Sequence, residues 1–167
     1  MVTLATFSKE AVLSILSEVA DPELPFLNIV ELGIVRDAEF DGNVLRITIT
    51  PTYFGCPILH VIRESITSVL QAAGFTAVAV QTAYAPAWTT DWLSDETRQK
   101  LKAAGIAPPE GRVPDAAPFR PRQRPAVQCP FCDSHDTEVR SEFGATACKS
   151  LHYCNNCLQP FEHFKCI

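Results

Sequence analysis

The chain has 167 residues, with 14 basic and 19 acidic side chains and a formal net charge of -5. Apolar residues make up 47% of it and charged residues 20%, a globular mix that excludes wholesale disorder. The acidic balance argues against non-specific nucleic-acid binding, which needs a basic surface. No apolar run approaches the roughly 18–20 residues that cross a bilayer. The N-terminus also lacks the pattern of a signal peptide, so the sequence predicts a cytoplasmic protein without a membrane partner.

Residues 1–106 predict a mixed α and β domain. The side chains of Leu45, Ile47 and Ile49 alternate with polar residues, as in a strand with one buried face. The order α-β-β-α-β-α places this domain in the α+β class, as a small sheet with helices packed on one side. The predicted elements, in chain order, are a helix capped by Ser8, strands over 34–40 and 44–50, a helix over 58–73, a strand over 77–83 and a helix over 94–104.

A proline-rich segment follows over residues 107–127. Six prolines lie between positions 108 and 125, where they remove backbone donors and favour extended geometry. This composition predicts a semi-rigid linker between the first domain and a C-terminal module over 128–167. A module of that size needs a metal or disulfides to fold.

Six of the seven cysteines lie in the C-terminal module. Without a signal peptide the thiols stay reduced, so metal binding is favoured over disulfides. Two Cys-x-x-Cys pairs predict a closed, four-thiolate structural zinc site in a zinc-ribbon-like fold. A four-thiolate iron or iron–sulfur centre, or free packed thiols, are the alternatives. The proposed ligands are Cys129, Cys132, Cys154 and Cys157; the spare candidates Cys148, Cys166, His135, His152 and His163 are predicted to pack or lie at the surface.

Cys56 is the single cysteine of the first domain. Pro57 follows it and is favoured at the first position of a helix, which would make Cys56 the N-cap of the helix over 58–73. The positive end of that helix would then lower the thiol pKa and raise its affinity for metal. A buried structural cysteine is an equal alternative. Asp21, on the rigid Asp-Pro loop, is either a simple turn former or a carboxylate that approaches Cys56; His60 could reach the sulfur, although a packing role is favoured.

Two tryptophans, Trp88 and Trp92, precede the last predicted helix of the first domain. Large aromatic side chains in a loop serve either as core residues or as anchors of an interface. The residue types alone leave both roles open for this pair.

Three segments of the first domain resemble the SufT-like, MIP-family domain of iron–sulfur cluster assembly proteins. The segments are Asp21-Pro-Glu-Leu-Pro25, the stretch over 28–36, and Thr50-Pro-Thr-Tyr-Phe-Gly-Cys-Pro57. Further motifs over 86–92, 105–109, 141–149 and 160–167 are similar to one branch of that family, the phenylacetate-degradation D proteins. Phe54 and Gln159 depart from the family pattern without removing a proposed ligand.

The resemblance implies an accessory protein of the multicomponent phenylacetyl-CoA epoxidase (oxygenase) that is not catalytic by itself. It implies that Cys56 handles iron or an iron–sulfur cluster transiently, that Asp21 is its neighbouring carboxylate, and that the four paired cysteines hold zinc. The implied partners are the other epoxidase subunits, especially the iron–sulfur reductase. In the alternative, the chain is a structural docking subunit that uses its ribbon and the Trp88 and Trp92 loop, while Cys56 only packs.

Overall fold

The computed structural model describes residues 8–53, 55–109 and 126–165. These residues form two compact units, of which the first ends at Trp88 and the second begins at Thr89. Among the described residues, no helix combines the length and apolar character needed to cross a membrane.

The first unit is a three-stranded sheet with two helices. Its strands lie in the order β1-β2-β3, with β1 antiparallel and β3 parallel to β2. A parallel neighbour needs a crossover connection, and α2 provides it between β2 and β3. The elements are α1 (Lys9–Leu16), β1 (Val35–Asp41), β2 (Val44–Ile49), α2 (Leu59–Ala72) and β3 (Val78–Thr82).

The alternation of apolar residues in β2 determines which face of the sheet is buried. Leu45, Ile47 and Ile49 are all buried, as predicted. Helix α2 contributes Ile62, Ile66 and Leu70 to the same core. The hydroxyl of Ser8 accepts a hydrogen bond from the Ala11 N–H and so caps α1, as predicted.

Trp88 is a core residue of the first unit. Its side chain is only 3% exposed, and its indole N–H donates to the carbonyl oxygen of Leu32 at 2.8 Å. Trp88 therefore has the core role. It is not available as an exposed anchor of an interface, which was the alternative role for the two tryptophans. Trp92 is half-buried and belongs to the second unit.

The second unit is a four-stranded sheet with one helix. Its strands lie in the order β4-β7-β6-β5, and β4 pairs in parallel with β7 while the other neighbours are antiparallel. Before the sheet come a 3-10 helix (Thr90–Trp92) and α3 (Asp95–Ala103). The strands are β4 (Ile106–Ala107), β5 (Thr137–Ser141), β6 (Lys149–Cys154) and β7 (Pro160–Phe164).

The division between the units differs from the expected boundary at residue 106. Ile106 and Ala107 pair with Glu162 and His163 of β7, so they are part of the second sheet. The ammonium of Lys102, near the end of α3, also forms an ion pair with Asp133 at 2.5 Å. These contacts assign the predicted last helix of the first domain to the C-terminal unit. Residues 110–125 of the expected linker lie outside the described residues.

Candidate functional site

The four paired cysteines lie on two turns of matching geometry. In the first turn the Asp133 N–H donates to the Cys129 carbonyl at 3.0 Å, and in the second the Leu158 N–H donates to the Cys154 carbonyl at 3.0 Å. Both donor residues have a left-handed backbone, with φ of 61° for Asp133 and 60° for Leu158. This conformation turns the chain so that both sulfurs of each pair point to a common centre.

The sulfur positions fit a tetrahedral zinc ion. All four Sγ atoms lie within 4.8 Å of one another. The Cys129 and Cys157 sulfurs are 3.7 Å apart, and the Cys132 and Cys154 sulfurs are 3.6 Å apart. Zinc–sulfur bonds of about 2.3 Å require sulfur–sulfur edges of about 3.8 Å in a tetrahedron. The four thiols would fill every position on zinc, which is the arrangement of a structural site, so the predicted four-thiolate zinc ligand set is confirmed.

The thiols of this cluster have widely different pKa values. The side-chain amide of Asn156 donates to the Cys132 sulfur at 3.5 Å, and this contact is the main reason that the pKa of Cys132 falls to about 6. Burial raises the pKa of Cys157 to about 12, and its sulfur neighbours act in the same direction. Four thiolates so close together repel one another, and zinc supplies the charge that allows all four to ionise.

The spare metal ligands of the second unit lie apart from this cluster. Among the described residues, the four paired cysteines form the one group of three or more His, Cys, Asp or Glu side chains whose ligand atoms lie close enough together to share a metal ion. Cys148 is buried, with its sulfur 3.0 Å from the Thr146 hydroxyl. His152 is also buried and places Nε2 2.9 Å from the Ser150 hydroxyl. These two residues pack, as expected, whereas Cys166 lies outside the described residues.

Cys56 lies in the loop between β2 and α2 and is not the N-cap of α2. The N-cap is Ile58, which makes no side-chain capping bond, and the helix begins at Leu59. Pro57 and Ile58 form a turn before the helix, and the Leu59 N–H faces the Cys56 carbonyl at 3.4 Å. The expected capping role was therefore wrong, because the chain uses Pro57 to make a turn before the helix starts.

The pKa of the Cys56 thiol is raised, which is opposite to the expected direction. Burial is the main cause, and the carboxylates of Glu23 and Asp21 add to it. Hydrogen bonds to the sulfur from the Ile58 N–H and the Tyr53 hydroxyl act in the other direction but are outweighed. The thiol is thus protonated at neutral pH, and an incoming metal ion must displace its proton.

The side chain of Asp21 is fixed by hydrogen bonds to the backbone of the residues that follow it. Its side chain is only 5% exposed, and Oδ1 accepts hydrogen bonds at 2.9 Å from the N–H groups of Glu23 and Leu24. Asp21 and Glu23 both interact electrostatically with the thiol. His60 instead places Nδ1 2.8 Å from the Pro57 carbonyl.

Glu23 and Tyr53 are site residues that the sequence analysis did not single out. Glu23 lies two positions after Asp21, and Tyr53 lies three positions before Cys56, each pair inside one motif. Closeness in the chain to Asp21 and Cys56 was therefore the feature of the sequence that could have identified these two residues. Which side chains reach the sulfur depends on how the two loops pack, and the motifs alone do not specify this packing.

We expect slow alkylation of Cys56 at pH 7 in the zinc-loaded chain, because little thiolate is present. The alkylation rate should still be rising above pH 8.5, since an ordinary thiol has a pKa of about 8.5 and the Cys56 thiol has a higher one. Glu23→Gln should accelerate the reaction by removing a negative charge, and Tyr53→Phe should slow it by removing a hydrogen bond. Iodoacetamide labelling with mass spectrometry of the Cys56 peptide measures both effects. A rate that is already maximal at neutral pH would contradict the raised pKa.

Two family models match separate parts of the chain. A model described as an iron-sulfur cluster assembly protein matches residues 9–82, and one described as a PaaD zinc beta ribbon domain matches residues 114–165. The first match contains Cys56 with its neighbours, and the second contains the four zinc ligands.

Two curated proteins and one solved structure are similar to this chain over different shares of its length. The Escherichia coli (strain K12) protein named as the D subunit of a "Putative 1,2-phenylacetyl-CoA epoxidase" is 41% identical over 100% of this chain and 98% of its own length. The Fe-S protein maturation auxiliary factor YitW of Bacillus subtilis (strain 168) is 35% identical over 52% of this chain and 85% of its own. A crystal structure of a DUF59 domain of unknown function from Bacillus anthracis covers 56% of this chain and 90% of its own, with 30% identity and a TM-score of 0.52.

Proposed function

The chain belongs to the family of the 1,2-phenylacetyl-CoA epoxidase D subunits, and from this membership we propose that it is an accessory subunit that matures an iron–sulfur or iron centre of a partner protein. The environment of Cys56 is the observation that carries the proposal. Its half-buried thiol lies beside two carboxylates and a phenol, within the part of the chain that matches the cluster assembly model.

The chemistry around Cys56 suits a transient cargo of iron or of an iron–sulfur cluster. A thiolate is a strong ligand for iron, and the carboxylates of Glu23 and Asp21 attract a cation. One cysteine supplies only one bond to iron, so the iron keeps open coordination sites that ligands of a recipient protein can occupy. The four-cysteine site has the opposite property, because its ligands saturate zinc and leave no position for exchange.

We propose the iron–sulfur reductase of the epoxidase system as the recipient. A strain that lacks this chain should then make normal amounts of reductase polypeptide with less iron and acid-labile sulfide per polypeptide. Purifying the reductase anaerobically from that strain, and from the strain with the chain restored, tests the proposal. A fully loaded reductase in the deletion strain would contradict it.

A structural docking role is the second candidate, and exposed apolar side chains of the zinc-binding unit favour it. Phe131 and Phe143 are both exposed there. Under this candidate the reductase of the deletion strain keeps its cluster, while the epoxidase subunits no longer purify together. The two readouts separate the candidates within one experiment.

A further inference from the structure

The loop between β5 and β6, residues 142–148, presents an exposed aromatic side chain. Phe143 is 67% exposed, the largest value among the exposed large apolar residues that the structure describes. The loop belongs to the motif over 141–149, which neither the zinc site nor the Cys56 site uses. Single exposed apolar residues are common on surfaces, so what matters here is how the loop is held.

Lys149 and Glu162 hold this loop through an ion pair and a backbone hydrogen bond. The ammonium of Lys149, whose side chain is 5% exposed, pairs with Glu162 Oε2 at 2.8 Å. Glu162 Oε1 accepts from the Ala145 N–H at 2.7 Å. Burial favours the neutral acid, but Lys149 and this N–H hold the pKa of Glu162 below its usual range. A Cβ at Gly144 would lie 2.6 Å from the same Glu162 oxygen, so a larger residue there would require the carboxylate to shift away from its present contacts.

An ion pair of this kind contributes little net free energy to the stability of a fold. Taking the Lys149 ammonium out of water offsets much of its attraction to Glu162, and apolar side chains of similar size often stabilise as well or better. Its effect in this unit is to fix the loop, and the Phe143 N–H adds a further contact to the Ser141 hydroxyl at 3.2 Å. A loop that is already ordered loses less entropy when its exposed side chain enters a partner.

An ammonium group accompanies the exposed ring. Lys165 Nζ lies 4.7 Å from the centre of the Phe143 ring and donates to the Glu142 carbonyl oxygen at 3.1 Å. Within the described residues, no carboxylate pairs with Lys165. The phenyl ring and this ammonium form a cationic, apolar knob on a chain whose net charge is -5. Its complement is an apolar pocket with carboxylates at its edge.

We propose that the Phe143–Lys165 knob docks into an apolar, carboxylate-rimmed pocket on another subunit of the epoxidase system. The ring would supply the buried contact area, and the ammonium would fix the orientation and favour an acidic partner. The proposal rests on the second unit alone, so it does not depend on what Cys56 does.

The test measures binding of the full, zinc-loaded chain to the purified remaining epoxidase subunits. Phe143→Ala should weaken binding at least about tenfold, as truncation of an interface anchor does. Lys165→Glu should weaken it further at low salt, and Lys165→Arg should retain it. Leu158→Ala is the matched control, because Leu158 is 65% exposed on the same unit and lies on a zinc turn instead of the loop.

Zinc content and hydrogen exchange of β6 confirm that each variant is folded, and Phe143→Leu provides a milder replacement if the alanine variant is not. Three outcomes overturn the proposal: unchanged binding by a folded Phe143 variant, an equal loss for Leu158→Ala, or no binding by the wild-type chain. Loss of self-association in Phe143→Ala, without an effect on the other subunits, would identify a second copy as the occupant and also overturn it. The cluster content of the reductase is read separately and reports only on the maturation role.

Discussion

Zinc removal should unfold the second unit and leave the first unit folded. One buried cluster of the second unit comprises Ala107, Cys129, Cys154 and Phe161, and two of these residues are zinc ligands. Binding of zinc at such sites contributes about 10–16 kcal/mol, whereas whole domains are stable by only about 5–15 kcal/mol. Without the ion, the thiols lose the bonds that hold β6 and β7 to the first zinc turn.

Hydrogen exchange before and after treatment with a strong chelator measures this loss. Amides of β5, β6 and β7 should lose nearly all protection, and those of β4 should follow because, among the described strands, β4 pairs with β7 alone. Amides of β2 and α2 should keep theirs. Cys132→Ser should reproduce the chelator result, and Cys148→Ala, which removes a buried cysteine outside the cluster, should keep one zinc ion per chain. A metal-free chain with a protected β6 would contradict the expectation.

Cys56→Ser should abolish the maturation activity without unfolding the first unit. Serine is similar in size to cysteine and can accept the hydrogen bonds from Ile58 and Tyr53 that the sulfur now receives. Its hydroxyl ionises far above neutral pH and binds iron weakly, so the cargo loses its soft ligand. The cluster content of the reductase in a Cys56→Ser strain should fall to that of a strain without the chain.

Asp21→Asn gives a graded comparison for this effect. An asparagine Oδ1 can still accept the two backbone hydrogen bonds of the loop, so the variant removes the charge and keeps the turn. We expect a smaller loss of cluster content than in Cys56→Ser, and Cys148→Ser should show no loss. Normal growth on phenylacetate with a loaded reductase in Cys56→Ser would eliminate the maturation role and favour the docking role.

Local sequence patterns predicted most elements and the zinc site because each depends on neighbours in the chain. The alternation of Leu45, Ile47 and Ile49 requires only that one face of a strand be buried, and the spacing of each cysteine pair requires only a tight turn. The predictions failed where residues that are distant in the chain determine the local structure or the pKa. Strand β4 has two residues and exists through its pairing with β7, and the pKa of Cys56 is set by burial and by carboxylates from another loop.

The pairing of β4 with β7 places the residues just before the proline-rich stretch in the second unit. Its N-terminal flank is held in the second unit, where the Arg98 guanidinium donates to the Pro109 carbonyl. Its C-terminal flank is held in the same unit, where the Thr137 hydroxyl donates to the Val127 carbonyl at 2.6 Å. The described residues on both sides of 110–125 therefore belong to the same folded unit. A protease nick there would leave two fragments joined by a sheet, and a gene fragment meant to encode the zinc-binding unit should start after Trp88.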